Sequence, residues 1–323
     1  MFVHLSHILD PKDNAYPGEP VVTFEPDSVI GKDGKPFNSA MIHLPNHFGT
    51  HMDAPHHFNP DGIDMIDLPD DIWGYEGDEV LVIDLPAKNK PKSVIEVSDV
   101  EPYAEQLQGK RLVLFRTGFE ANKFSDPHTY EHEGLSFHPD TCRWLIENTD
   151  KVQCIGMDWL SIASPSNGYG KDAHQWLLGN HVDRYIVGIE DMTLAPLGDK
   201  KIEFVTLGPL RVRGVDGAQV NVMAKLADWL CGMMGAEIGE WISLLRAGSD
   251  SMVIARRSSG GRSERSSTSS RACRCSISLV SSGCCSPGSS CITSARARCR
   301  ASSSSSAPRC SASSPRLLAA RTR

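Results

Sequence analysis

Runs of branched apolar residues, closed off by glycine, proline or aspartate, recur along the first two-thirds of the chain. VLVID (80–84), RLVLFRT (111–117), VQCIGMDW (152–159), YIVGIE (185–190) and IEFVTLG (202–208) each have the length and β-branched content of a strand. Helical signals fall between them. Ser98 and Asp99 offer an N-cap ahead of VEPYAEQLQ, with Pro102 in the first turn. Pro139 and Asp140 open TCRWLIEN, whose Trp144 and Leu145 would face a core, and a third helix is predicted from Asp172 through AHQWLLG to a stop at Gly179. Strands interleaved with helices predict a mixed α/β fold, and no repeat with a period of 20 to 50 residues is evident.

This pattern fails toward the C-terminus. LADWLCGMMGAEIGEWISLLRAG (226–248) still carries a helical stripe that would dock on the body or at a subunit contact. Residues 251–323 hold 24 serines and no Phe, Tyr, Trp, Asp, Asn, Gln, Lys or His, too little apolar surface to offset the entropy of ordering, so this tail is expected to be disordered. Charge divides at the same place, with a formal −19 over residues 1–250 and +12 over 251–323. An acidic body repels polyanions, which excludes nucleic acid as its partner and favours small molecules. The Arg/Ser tail could in principle bind RNA. Its seven cysteines include adjacent Cys284 and Cys285 and the C-x-C pair Cys273 and Cys275 but no C-x-x-C knuckle, which argues against a metal site there. The tail reads as translation in a shifted frame past a lost stop codon, and resequencing the coding DNA tests that.

In the body only Cys142, Cys154 and Cys231 occur, too few for a disulfide framework. The first twenty residues lack the basic start and apolar run of a signal peptide, and no later stretch reaches ~18 continuous apolar residues. These features predict a soluble cytoplasmic protein with no membrane association.

The chemistry concentrates in HFGTHMDAPHHF (47–58). At about 100° per residue a helix would put His47 and His51 on one face and Asp53 and His57 on the other. Pro55 also disfavours a helix, by pushing Ala54 to extended geometry. A turn at Gly49 followed by extended chain works better, because His51 and Asp53 then point to one side and His47 folds back beside them. Two imidazoles and a carboxylate form a catalytic type of ligand set with open positions, suited to zinc, manganese or iron rather than magnesium or calcium. Phe48 stands where a helical H-E-x-x-H motif would have its glutamate, so another base is needed, and His57, carried close by the same segment, is the candidate. His56, next to His57, should point the other way on extended chain, and His43 reads as an ordinary surface histidine. The competing reading of the whole segment is a surface loop with accidental histidines.

The segment resembles the H-x-G-T-H-x-D-x-P-x-H-F pattern of the cyclase family of metal-dependent hydrolases, whose best-known member is bacterial kynurenine formamidase. Other stretches resemble that family in order: HLSHILDPKDNAYPGEP at the start, VLFRTGF, IGMDWLSI, and LGPLRVRGVDGAQVNVMA at the close, together spanning about residues 3–224. The resemblance implies a hydrolase domain over 1–224 with a swivelling β/β/α fold, a homo-oligomer, and one or two divalent ions, zinc or manganese. It also implies that His47, His51 and Asp53 hold the first metal, that His57 is the catalytic acid/base, and that His174 (in HQWLLG) and Glu190 (in VGIED), with a bridging Asp53, complete a second metal site. Glu190 follows His174 by sixteen residues, a few more than is usual in the family, which leaves His181 as a competing ligand. Asp158 and Ser161 read as structural. Phe48, Trp73, Trp159 and Trp176 could line an aryl pocket or belong to the core. The implied activity is hydrolysis of an amide in a small aromatic or cyclic substrate, as in the conversion of N-formylkynurenine to kynurenine and formate. The alternatives are opening of a lactam such as isatin and, from another class, a non-catalytic metal-binding scaffold.

Overall fold

The computed structural model describes residues 1–227 and two later strands, and divides the chain into units spanning Met1–Asp250 and Ser251–Arg323. In the first unit the strands are β1 (Phe2–His4), β2 (Thr23–Ser28), β3 (Ser39–His43), β4 (His51–Asp53), β5 (Gly74–Glu76), β6 (Val80–Asp84), β7 (Val94–Ile95), β8 (Leu112–Arg116), β9 (Ser136–Phe137), β10 (Cys154–Met157), β11 (Val187–Glu190), β12 (Ile202–Pro209) and β13 (Gly217–Leu226). The helices are short: α1 (Val97–Val100), α2 (Ala104–Leu107), α3 (Asn122–Ser125), α4 (Pro127–His132), α5 (Pro139–Asn148) and α6 (Gly170–Leu177).

One mixed sheet runs β5-β12-β13-β4-β11-β10-β8-β6, with β1 also paired to β13. Its outermost strands, β5 and β6, are joined by residues 77–79 alone, so the sheet curls until its ends meet and forms a nearly closed barrel. β6, β8, β10 and β11 are parallel, whereas β4, β13, β12 and β5 continue the sheet antiparallel. The parallel strands are covered on both faces, which is why they read as unbroken apolar runs. Leu112, Leu114, Val187 and Ile189 face one core with Met52, Tyr75, Val205 and Val222. The alternate residues Val113, Phe115, Ile155 and Met157 pack in a second core with Leu145 and Ile146 of α5 and Ala173 and Leu177 of α6.

Each expected strand is present. β6 occupies the predicted residues; β10 stops at Met157 because Asp158 turns aside to accept hydrogen bonds from Thr117 N–H (2.8 Å), the Thr117 hydroxyl (2.7 Å) and Gly118 N–H (2.6 Å). The expected helix after Ser98 requires correction. α1 begins at Val97 and is capped by Glu96, whose carboxylate takes the Asp99 N–H while the Asp99 carboxylate takes the Glu96 N–H at 2.8 Å. Pro102 then falls in a 3₁₀ turn, Glu101–Tyr103, that separates α1 from α2, so one predicted helix is two short ones. α5 starts at Pro139 as expected, with Leu145 buried and Trp144 half-buried, and α6 begins two residues ahead of Asp172.

β13 runs to Leu226, past residue 224. The helix expected over 226–248 lies outside the described residues beyond Ala227, as does most of the 251–323 tail. Within the tail, β14 (Cys275–Leu279) and β15 (Ala295–Cys299) pair antiparallel as a two-stranded ribbon, an arrangement with little stability of its own. Among the described residues no helix is long and apolar enough to cross a membrane.

Candidate metal centre and cavity

β4 lies where the two halves of the sheet join, with β11 on one side and β13 on the other. Gly49 turns the chain just before it with a φ of +67°, a left-handed conformation that glycine adopts without strain. That turn carries His47 back over Asp53, as the sequence predicts: His47 Nδ1 lies 3.0 Å from Asp53 Oδ1, and His51 Nε2 lies 3.4 Å from the same oxygen. A Cβ at position 49 would fall 2.4 Å from Leu9 Cδ2. Gly49→Ala is therefore expected to cost about 1–3 kcal/mol in chemical denaturation. An unchanged midpoint would show that the turn does not depend on glycine.

Long-range pairing completes the cluster. In the β4–β11 register His51 is opposite Glu190, and His51 Nε2 lies 3.4 Å from Glu190 Oε2. From α6, His174 points Nε2 to within 3.7 Å of Asp53 Oδ2 and 3.6 Å of Glu190 Oε1. His51 and His174 each set their Nδ1 against a backbone carbonyl, Gly49 O at 2.8 Å and Gly170 O at 2.5 Å, which leaves both Nε2 atoms facing inward. Glu190 is oriented by the Ser161 hydroxyl (3.0 Å) and Ile162 N–H (2.6 Å), so Ser161 serves the site by holding a carboxylate, while Asp158 holds the turn at Thr117. All five sequence-predicted ligands thus converge. His181 does not join them: it is exposed, with its ring 4.6 Å from that of Trp176. His56 points away to Asp64 (2.6 Å) and His43 is exposed beside Glu25.

The electrostatics suit a cation. Burial alone would raise Asp53, but hydrogen bonds from His47 and His51 outweigh it and hold this carboxyl well below the usual range. Burial likewise opposes a charged His47, yet Asp216 and Asp53 push it up to about 10. His51 and His174 are raised too, each by a carboxylate that overcomes burial: Asp53 for His51 and Glu190 for His174. Asp53 Oδ2 is buried with no hydrogen-bond partner, the facing His174 Nε2 lying 3.7 Å away. Orphans of that kind are rare in native proteins. Two sets, His47–Asp53–His57 and His51–Asp53–Glu190, have donor atoms within 4.8 Å of one another; the second fits a divalent ion without His57, whereas the first includes it.

His57 sits in the 3₁₀ turn Pro55–His57, its ring stacked on His47 at 4.0 Å between centroids. It lines a cavity of about 350 Å³ shared with His47, His51, His174 and Glu190 and walled by Tyr16 and Phe58. Phe58 stacks on His174 (4.3 Å, 20°). The four aromatics weighed from sequence lie elsewhere: Phe48 and Trp159 are fully buried, and Trp73 and Trp176 pack against the two cores.

Sequence reasoning missed three groups. Asp216, from the VDG turn ahead of β13, lies 2.8 Å from His57 Nδ1 and 3.3 Å from His47 Nε2. Its only signal was an aspartate before glycine, which reads as a turn. Gly217 is opposite Asp53 in register, and a Cβ there would fall 2.5 Å from His47 Cε1, so a bare backbone is what lets the imidazole lie across β13. Asp191, at a φ of +54°, fixes the kink after Glu190. Its carboxylate takes the buried Lys123 Nζ (2.7 Å) and Tyr130 hydroxyl (2.5 Å), and its carbonyl takes the Thr50 hydroxyl (2.5 Å).

Known proteins similar to this chain fall in one family. The Cyclase family model matches residues 3–164. Cyclase-like protein 3 of Arabidopsis thaliana is 29% identical over 200 residues, 59% of this chain and 66% of that protein. A kynurenine formamidase of Bacillus cereus is 26% identical over 232 residues, 69% of this chain and 97% of that protein. Among solved structures, isatin hydrolase A from Labrenzia aggregata, bound to benzyl benzoate, has a TM-score of 0.58 at 21% identity, covering 69% of this chain and 93% of that one, which is a likeness of fold.

Proposed function

The chain belongs to the cyclase family, and on that premise we propose that it is a metal-dependent hydrolase of the carbon–nitrogen bond in a small aromatic or cyclic amide. The observation that carries this reading is the convergence of His47, His51, His174 and Glu190 around the buried Asp53, which has an orphaned oxygen, with those three histidines and Glu190 lining a cavity that also holds His57. These five side chains would hold zinc or manganese, which when bound polarises a carbonyl and acidifies a water. His57 takes a proton from the attacking water as the carbon–oxygen bond forms. It returns that proton to the departing nitrogen as the carbon–nitrogen bond breaks, so water and amide become acid and amine. Tyr16 and Phe58 form the walls against which an aromatic ring would lie.

The finer reading is an arylformamidase acting on N-formylkynurenine, supported by the likeness to the Bacillus cereus protein along nearly its whole length. We place the catalytic unit in residues 1–224. Exposed Phe24, Met41 and Ile42 on the β2–β3 ribbon support a homo-oligomer, and the buried free thiols Cys142 and Cys154 suit the reducing cytoplasm. The test is metal analysis of the purified protein, followed by assay on N-formylkynurenine and on isatin after chelation and return of zinc or manganese. Metal-dependent deformylation supports the finer reading. Turnover of isatin alone moves the assignment to lactams, and bound metal without turnover of any amide favours a scaffold.

Metal binding should strengthen with pH. The stabilisation from paired His47 is whole below the ordinary histidine value of 6.5 and is lost as pH climbs toward about 10, while a cation must displace the protons of the raised imidazoles. The thermal shift on adding zinc is therefore expected to be larger at pH 8 than at pH 6, with apparent affinity rising roughly tenfold per pH unit for each proton displaced. Calorimetry in buffers of different ionisation enthalpy counts those protons, and a count of zero would contradict the pairing described.

A further inference from the structure

The geometry points to Asp216 as the residue that positions His57, fixing which ring nitrogen faces the cavity. This deepens the hydrolase reading above and rests on it. Asp216 Oδ2 lies 2.8 Å from His57 Nδ1 and, more distantly, 3.3 Å from His47 Nε2, and its other oxygen accepts from Asn46 Nδ2 at 2.7 Å. Its carbonyl accepts the Ala54 N–H at 2.8 Å, so its backbone is tied to the residue that follows β4. The His57 ring is held between His47, stacked at 4.0 Å, and Phe58, edge-on at 4.7 Å. With its plane fixed on both sides, the remaining freedom of His57 is the position of its proton.

A carboxylate only accepts, so the nitrogen facing Asp216 must carry hydrogen. His57 is thereby kept as the Nδ1–H tautomer, with a lone pair on Nε2 available for a proton from water. Asn46 makes the arrangement directional. In Asp216→Asn the amide oxygen stays on the Asn46 donor, which turns the new NH₂ toward His57 Nδ1. That donor draws the proton to Nε2 and leaves the imidazole unable to act as a base from the cavity side.

The experiment combines nitrogen-15 spectroscopy of the imidazoles with kinetics at saturating zinc. In the metal-loaded wild type, the signal missing from His57→Ala is expected to report Nδ1–H, and in Asp216→Asn it should shift toward Nε2–H. Asp216→Asn should lower kcat roughly 10- to 100-fold while KM changes less than about threefold. In a His57→Ala background it should add less than about a twofold loss, because a residue acting through His57 has nothing left to position. A wild-type His57 protonated on Nε2 overturns the inference, as does failure of Asp216→Asn to load zinc, which would show Asp216 serving the metal, directly or through His47, rather than His57. Losses that multiply in the double variant overturn it as well. Should the protein hydrolyse no amide at all, the hydrolase reading fails while the tautomer measurement still decides the role of Asp216.

Discussion

Asparagine in place of Asp53 is expected to strip the protein of metal and of hydrolytic activity together. Asp53 belongs to both candidate ligand sets, lies within 4 Å of His47, His51 and His174, and is buried where water cannot stand in for a lost charge. Partners beyond the ligands themselves are worth about 10- to 100-fold in metal affinity, so loss of a shared carboxylate should exceed ~100-fold. The replacement keeps the size of the side chain and one oxygen, so circular dichroism should remain that of the folded protein. Emission spectrometry of the dialysed protein supplies the metal count. Full metal occupancy with normal turnover would remove Asp53 from the site.

His57→Ala is expected to separate catalysis from metal binding. Loss of a positioned acid–base group lowers turnover by about 10²–10⁴-fold. Metal held by the His51–Asp53–Glu190 set should remain close to that of the wild type, since His51, His174 and Glu190 are held in place by contacts that do not involve His57: Gly49 O, Gly170 O, the Ser161 hydroxyl and Ile162 N–H. Parallel loss of metal and activity would make His57 a ligand and leave the base to be found elsewhere in the cavity.

Much of the architecture could be read from apolar runs because the parallel strands are buried on both faces and therefore announce themselves. β4 was legible through chemistry instead of hydropathy: three residues are too few to show a period, yet His51 and Asp53 two apart declared an extended chain with both side chains on one face. What escaped depends on register between distant segments. Asp216 reaches His57 across 159 residues, and nothing local marks it as more than a turn residue. Phe58 and Tyr16 line the cavity while Trp159 and Phe48 do not, a distinction set by packing against other elements. The Glu96 cap escaped for a different reason: glutamate is a poor N-cap by type, and only the reciprocal Asp99 bond makes it one here.

The place of β4 in the sheet also sets a timetable for maturation. His51 and Asp53 leave the ribosome early, Glu190 well over a hundred residues later, and β13, which pairs with β4 and carries Gly217 opposite Asp53, later still. A nascent chain that stops short of β13 holds the histidines and the first carboxylate without the strand that encloses them. Since contacts so far apart in sequence close slowly, uptake of metal by a site built in this way would fall at the end of folding and report its completion. An enzyme assembled in this order would carry no premature catalytic centre while its sheet is still open.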